Sequence, residues 1–238
     1  MDIKIYDKLA KKYDLATKIV SFGIEEIWRW IFIKNIKKFI KNGTMLDVAS
    51  ATGEMAKLGF DKIYFVEPSN EMIKIMVEKF KKEGFREESF EVQFQERPYI
   101  KLKKEKKEYI ILSTTAEDFE INEKVDLITA FMAVRNFDNL EKGMDNLKKH
   151  LRKGGYIAIV EMVKSNSLFA KIILLYMNNI VPLIAGMLLG MKEEYKLLGK
   201  SINSLEDEKI INSLKGFSIV KKQKLLFIAT LIIAKKDE

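Results

Sequence analysis

The stretch Leu46–Ala56, LDVASATGEMA, decides the fold of this chain. An apolar run leads into a turn of small residues closed by Gly53, and a helix is expected to follow. The next apolar run, KIYFVEPS from Lys62 to Ser69, brings a carboxylate, Glu67, to its tip. Strand, tight turn into a helix, then a second strand ending in an acid is an arrangement suited to a nucleoside. The turn aims backbone N–H groups at the ligand, and the acid accepts both ribose hydroxyls. Asp47 adds an earlier carboxylate, which suits a cationic ligand better than a pyrophosphate. Neither GxGxxG nor GxxxxGK[ST] occurs to cradle phosphates. The ligand favoured on these grounds is S-adenosyl-L-methionine, whose ribose, amino group and sulfonium all welcome acids. A plain buried strand, turn and helix would read much the same.

With 238 residues and 47% hydrophobic content, the chain suits one domain, residues 1–238, with a sizeable core. Cysteine is absent and His150 is the only histidine. This excludes disulfides, thiolate zinc sites and cysteine nucleophiles; a single histidine also rules out a His-based metal site and argues against a serine-type triad. No metal is expected. Chemistry that needs neither metal nor nucleophilic side chain is favoured, and transfer of an already activated methyl group is one such chemistry. The formal charge of +8 fits nucleic acid, an anionic membrane surface or a lysine-rich proteome. Its densest run, KLKKEKKE from Lys101 to Glu108, has no aromatics interleaved. It therefore reads as a solvated loop or helix face, and no nucleic-acid partner is expected. The N-terminal MDIKIYDK is charged from its second residue and lacks an apolar signal core, so the expected location is cytoplasmic.

Outward from the central motif, Ile24, Ile27, Trp28, Ile31 and Ile36 recur at helical spacing, and Gly43 breaks the pattern before the first strand. Ser69 is placed to cap a helix whose Ile73, Met76, Val77 and Phe80 share one face. A charged stretch, 81–108, separates it from the strand YIILST (Tyr109–Thr114), and FEVQF within that stretch suggests a small extra strand. VDLITAFM (Val125–Met132) reads as the next strand. A helix bearing Leu140, Met144, Leu147 and Leu151 follows, with Asp138 and Glu141 spaced as a capping box. Gly154 and Gly155 end it before YIAIVEM (Tyr156–Met162). Ser204 opens a late helix, and FSIVKKQ and LFIATLIIAKK close the chain as an antiparallel pair. The pattern implies an α/β, Rossmann-like doubly wound sheet. The segment Leu168–Met191 is long enough to span a membrane. Lys171, Asn178 and Asn179 weigh against a span, and Pro182 divides it into two short pieces. A buried helical pair or an apolar lid over a hydrophobic substrate fits better.

These residues together resemble the UbiE/MenG-type C-methyltransferases of ubiquinone and menaquinone biosynthesis, nearly end to end. YDKLAKKYD (Tyr6–Asp14), SFG (Ser21–Gly23) and Trp28-Arg29 follow the family's order. LDVASATGE is similar to LDVACGTGD, and VEPSNEM to the ribose-binding DxSxxM. TTAED (Thr114–Asp118) stands where the family has its adenine-side motif. FMAVRNFDN resembles AFGLRN, with Arg135 and Asn136 in register, and LRKGGYIAIVEMVK resembles LKPGGxLxxLEFxK. Tyr195, Leu198, Ser201 and Ile202 reproduce YxYLxxSI, with Pro182 and Gly186 upstream. The chain departs from the family at Ala51, in place of the central glycine, and at Thr115, where many relatives carry Asp. Lys153 replaces a proline, Leu197 replaces a tyrosine, and the charged insertion is unusual.

The resemblance implies a class I methyltransferase fold, a seven-stranded sheet with an antiparallel C-terminal strand. It also implies an N-terminal helical lid (1–42) and an apolar helical substrate lid (165–203). Cofactor binding falls to Asp47, Ala49, Ala51, Thr52, Gly53, Glu67, Pro68, Met72, Thr115, Ala116 and Phe131. The implied reaction is methylation of a ring carbon in a polyprenylated hydroquinone, and carbon becomes nucleophilic enough only when an adjacent hydroxyl ionises. Arg135 is the candidate to stabilise that phenolate, with Asn136 orienting the hydroxyl. From the residues alone, Arg135 paired with a carboxylate for structure is the better reading; the resemblance favours the electrostatic one. Tyr13, Met132 and Tyr195 are candidate substrate contacts. Glu161 either faces the site or pairs with a lysine, and His150 reads as a structural cation at a helix end. The expected partner is a hydrophobic small molecule, with transient contact at a membrane surface and room for a homodimer. Two alternatives stand beside this reading: methylation of another amphiphile, such as a phospholipid or polyprenyl compound, and a non-catalytic member that binds lipid or protein.

Overall fold

A computed structural model describes residues 7, 10, 18, 21–88, 99–165, 167–190, 192, 193, 195, 196, 205–226 and 228–237. The apolar runs around the central motif form β1 (Thr44–Val48) and β2 (Lys62–Val66), paired in parallel. Alternate side chains enter different layers, as the two-residue period of a strand requires. Ile63 and Phe65 join one apolar cluster, while Tyr64 and Val66 join the other. The first cluster takes Trp28, Phe32 and Ile36 from α1 (Ile24–Ile36), and Ile73, Met76 and Phe80 from α2 (Asn70–Lys82). Helices thus cover both faces of the sheet, which is what a doubly wound architecture needs. Ser69 caps α2 as expected, its Oγ accepting the Met72 N–H at 3.2 Å.

The charged insertion adds structure that its composition concealed. It contributes β3 (Arg86–Glu88) and β4 (Tyr99–Lys104), and β4 turns tightly into β5 (Lys107–Leu112). The run Lys101–Glu108 is therefore a hairpin, not a solvated loop or helix face. Leu102 is buried, and Lys101 and Lys103 meet Glu108 and Glu88 at 2.9 and 3.0 Å. Cross-strand ion pairs of this kind, with lysines along an edge, let a hydrophilic stretch hold a strand. The sequence FEVQF lies outside the described residues.

Beyond β6 (Val125–Phe131), α3 (Leu140–His150) and β7 (Leu151–Met162) complete the parallel part. The capping box expected at Asp138 and Glu141 does not form. Asn139 caps α3 instead, accepting the Lys142 N–H at 3.0 Å. Met144 and Leu147 of α3 line the second cluster with Ile210 of α6 (Asp207–Ser213). His150, ending α3, lies buried between the Asn146 carbonyl and Glu120 and against the Phe119 ring, a structural setting. The chain ends in β8 (Phe217–Leu225) and β9 (Ala229–Lys236), an antiparallel pair with β9 also antiparallel to β7.

The strand order is β3-β4-β5-β2-β1-β6-β7-β9-β8. The seven expected strands are present as β5-β2-β1-β6-β7-β9-β8, and among the described residues the sheet has nine because β3 and β4 extend its edge. From β1 the chain builds outward through β2 to β5, then returns to place β6 on the other side. That reversal makes the C-terminal ends of β1 and β6 a switch point, where a crevice opens for a ligand.

The apolar segment also differs from expectation. α4 (Leu168–Leu175), a π-helical turn (Tyr176–Ile180) and α5 (Val181–Leu189) form one continuous helical run across Pro182. A proline lacks the N–H for the helical ladder and its ring crowds the carbonyl one turn back, here that of Asn178. The wider π turn immediately before it lets the chain accommodate both effects without breaking. Nor is the run a buried pair: only 22% of its most apolar window is buried.

Candidate active site

The turn after β1 is built from left-handed backbone. Ala49, Ala51 and Gly53 have φ of 50°, 47° and 78°. The alternation folds the chain tightly back on itself, the Gly53 N–H reaching the Ser50 carbonyl at 2.8 Å. Two of the three positions carry a methyl group that this conformation disfavours. Gly53 is the one place where no side chain fits. A Cβ there would lie 2.8 Å from Phe80 Cζ and 2.9 Å from Met76 Cγ. Ser50 locks the turn to both strands, its Oγ donating to the carbonyls of Asp47 and Val66 at 2.8 and 3.2 Å.

Glu67 joins this turn to the next. Its Oε2 accepts the Ala51 N–H at 2.8 Å and its Oε1 the Ser69 N–H at 2.9 Å. Ser69 Oγ in turn donates to Asp7 at 2.6 Å, which brings the N-terminal segment to the same spot. Burial pushes the Glu67 carboxyl up to about 7 against the opposing effect of those two N–H bonds, with Asp7 adding repulsion. Burial likewise raises Asp47 to about 7, although Thr129 and Ser50 hydrogen bonds oppose it and Glu67 reinforces it. Thr129 Oγ1 donates to Asp47 Oδ1 at 2.6 Å. The two residues are direct cross-strand partners in the β1–β6 pairing, so the contact follows from register. Thr52 and Met72 are buried beside these groups in sequence, and Pro68 is half-buried.

The other strand ends contribute different chemistry. After β5, Thr115 is half-buried, its Oγ1 donating to Asp118 at 3.3 Å, and Ala116 is buried with its carbonyl accepting from Asn146 at 3.1 Å. At the end of β6, Phe131 packs 5.7 Å from Phe32 of α1, and the Arg29 guanidinium sits 5.2 Å from the Phe131 ring centre. Arg29 also bonds Glu25 and reaches Glu54 at 3.4 Å. Burial works to raise Glu54, but Lys57 and Lys79 prevail and hold it at about 2. This network ties α1 to the turn after β1, and nothing in local sequence spacing announced it.

Met132 takes a left-handed φ of 56°, its N–H bonded to the Val160 carbonyl at 2.7 Å. Strained backbone held by its neighbours is characteristic of sites. It throws the following Val134–Asn136 turn across the end of β7, where Glu161 is fully buried. Glu161 bonds the Arg135 guanidinium and accepts the Arg135 and Met162 N–H groups at 3.0 and 2.8 Å. Arg135 Nη1 also donates to the Met132 carbonyl at 3.2 Å, and Asn136 Nδ2 reaches the same oxygen at 3.3 Å. The carboxylate partner anticipated for Arg135 is thus Glu161, and Glu161 takes an arginine instead of a lysine. Tyr195 is buried; burial pushes its phenol up to about 12, with Glu25 of α1 adding to the effect. Tyr13 lies outside the described residues, as do Leu198, Ser201 and Ile202.

The strain in the first turn has a measurable consequence. Ala51→Gly removes a left-handed penalty of about 1–2 kcal/mol and adds about 0.4–1 kcal/mol of unfolded-chain entropy. The variant should be more stable by about 0.5–1 kcal/mol, read from denaturant midpoints. A loss of stability would show that the Ala51 methyl makes a favourable contact.

Comparison with known proteins places the geometry in a family. Residues 3–234 match the ubiE/COQ5 methyltransferase family. The demethylmenaquinone methyltransferase of Chlorobaculum tepidum is 28% identical over 210 residues, covering 83% of this chain and 75% of that protein. Its counterpart in Bacteroides fragilis is 27% identical over 243 residues, covering 98% and 91%. A solved SAM-dependent methyltransferase from Thermotoga maritima shares the fold, with a TM-score of 0.63 at 15% identity over 98% of this chain and 99% of that one. The chain therefore belongs to the ubiE/COQ5 methyltransferase family of S-adenosylmethionine-dependent enzymes.

Proposed function

We propose that this methyltransferase methylates a ring carbon of a polyprenylated hydroquinone in quinone biosynthesis, meeting its substrate at a membrane surface. The observation that carries the reading is the buried Arg135–Glu161 pair, held at the Met132 carbonyl just past the end of β6. Family membership and the demethylmenaquinone methyltransferases among its relatives support it.

The residues at the turn fit the cofactor. Each Glu67 oxygen accepts one backbone N–H, and a carboxylate oxygen has a further lone pair for a ribose hydroxyl. Asp47, Glu67 and Asp7 make this end of the crevice acidic, as a cationic ligand requires. Thr115 and Ala116 are assigned to the adenine side, with Phe131 as a wall. When bound, S-adenosylmethionine supplies an electrophilic methyl group, so the remaining demand is for electron density on the ring carbon.

Arg135 and Glu161 meet that demand as a pair. A Glu161 carboxylate oxygen takes the proton from the substrate hydroxyl, and the Arg135 guanidinium stabilises the oxyanion left behind. Arginine stays protonated, so it contributes charge and not base catalysis. The Met132 carbonyl holds both Arg135 and Asn136, which places the Asn136 amide to orient the hydroxyl. The chain works as one domain, and the described helices of 1–42 and 165–203 are assigned the role of excluding water from the reaction. Ile173, Leu174 and Met177 belong to the same apolar cluster as Phe131 and Met132, which suits the inner face of those helices to a substrate tail. Met132 and Tyr195 are the described candidates for substrate contact.

Glu67→Ala should weaken S-adenosylmethionine binding by about 1.5–3 kcal/mol, the range for hydrogen bonds to a charged group. Calorimetry showing unchanged affinity in the folded variant would remove Glu67 from the cofactor site.

Arg135→Gln should lower kcat by about 10²-fold or more while leaving cofactor affinity unchanged, since it acts on charge that develops in the reaction. The assay is mass-spectrometric detection of a carbon-methylated hydroquinone, on variant protein shown to be folded by its thermal midpoint. Full turnover on every hydroquinone tested, or methylation on oxygen or nitrogen, would overturn the proposed reaction.

A further inference from the structure

The helical run α4–α5 presents an apolar face to solvent. Leu168, Ile172, Leu175, Leu183 and Met187 follow one another at intervals that keep them on one side, and Asn179 fills the remaining step. Leu168, Leu175 and Met187 are 72%, 66% and 79% exposed. The opposite side is anchored, with Ala170, Val181 and Ala185 buried. Phe22, just before α1, packs 5.9 Å from Tyr176 in the π turn and is itself exposed, so the start of α1 adjoins this face. On α1, exposed Ile27 and Trp30 are followed at helical spacing by exposed Lys34, and exposed Lys37, Lys38 and Lys41 come just past its end. Lys34 lies 4.6 Å from the Trp30 ring. No acidic residue occurs between Leu168 and Met191, and Lys171 on α4 is exposed.

An exposed apolar stripe of this extent needs a partner, and the charges around it select one. A second copy docked through the same face would bring these lysines toward their own like. A bilayer with anionic headgroups neutralises them, while its acyl boundary receives the leucines and methionine and its interface suits the tryptophan.

We infer that the outer face of α4–α5, with the Trp30 and lysine face of α1, is a docking surface for an anionic lipid bilayer on which the α4–α5 helix lies flat. Its purpose, collecting a lipid-borne substrate, rests on the function proposed above; the surface itself rests on exposure and charge. Lying in the interface also fits Lys171, which a transverse helix would carry into the hydrocarbon.

The test is flotation of the full chain, without cofactor or substrate, with vesicles of phosphatidylcholine alone or mixed with phosphatidylglycerol. The protein should float with the mixed vesicles, and added salt should release it. Substituting Leu168→Gln, Leu175→Gln and Met187→Gln together should weaken partitioning by about tenfold or more. Replacing Lys34, Lys37 and Lys38 with Gln should weaken it by about fivefold for each lysine. Both variants alter outward-facing side chains and should keep the wild-type thermal midpoint and the wild-type cofactor affinity. Failure to float with either vesicle, or equal flotation of the apolar variant, would overturn the proposal. So would a dimer in sedimentation that the apolar variant dissociates while vesicles capture neither form. Methylation of a short-tailed, water-soluble hydroquinone, measured separately, distinguishes failure of this surface from failure of the proposed reaction.

Discussion

The Glu67 carboxylate is the junction on which the site depends. It spans two backbone N–H groups, from Ala51 in the turn after β1 and Ser69 in the turn after β2. That bridge acts with the Ser50 hydroxyl bonds and the Gly53 N–H bond to hold Ala51 in its left-handed conformation. Holding Ser69 also places its hydroxyl to cap α2 and to meet Asp7. One side chain therefore sets the shape of the turn, the start of a helix and the approach of the N-terminal segment. It does so at a cost, because the carboxylate is buried and its ionised form is disfavoured.

That cost connects structure to chemistry. Burial disfavours the charge of both acids, with Glu67 adding to the effect on Asp47 and Asp7 to that on Glu67, and a ligand carrying positive charge would relieve both. At the other end of the crevice the logic is reversed. Arg135 and Glu161 neutralise one another, so the substrate side presents an ion pair rather than a lone cation. In the proposed reaction such a buried pair takes up a proton at one member while its partner stabilises the anion created, and the Met132 carbonyl helps to hold the arginine. On the proposed assignments, the acids beside the first turn receive the cationic cofactor and the Arg135–Glu161 pair faces the substrate.

Much of this was legible in the sequence because it is local. β1, β2, the turn between them and the Ser69 cap each follow from a few consecutive residues, and Glu67 at a strand tip was legible by position alone. The closing antiparallel pair followed from two β-rich runs in succession. What escaped depended on partners distant in sequence. Glu161 lies far from Arg135 along the chain, and only the β6–β7 pairing brings the ends of those strands together. Thr129 reaches Asp47 through the β1–β6 register, which the sequence does not state. Strands β3 and β4 were hidden because their lysines and glutamates satisfy one another across the ladder and do not advertise a core. Two further misreadings came from near-degenerate local choices. Asn139 outcompeted its neighbour Asp138 as the α3 cap, and a π turn absorbed Pro182 where a helix break was expected.

The account turns on buried carboxylates that ionise to receive a cation, and calorimetry tests this directly. Asp47 and Glu67 both stand near 7 in the free protein, raised from 3.8 and 4.5, so at about pH 6 both are largely protonated. A cationic cofactor favours the ionised forms, so binding must release protons and affinity must rise as the pH climbs through 7. Titrating S-adenosylmethionine into the protein at about pH 6, in buffers of different ionisation enthalpy, reads the protons released per binding event. The expected result is net release in the wild type and clearly less in Glu67→Gln. Heats that do not depend on the buffer, or equal release from both proteins, would contradict the account.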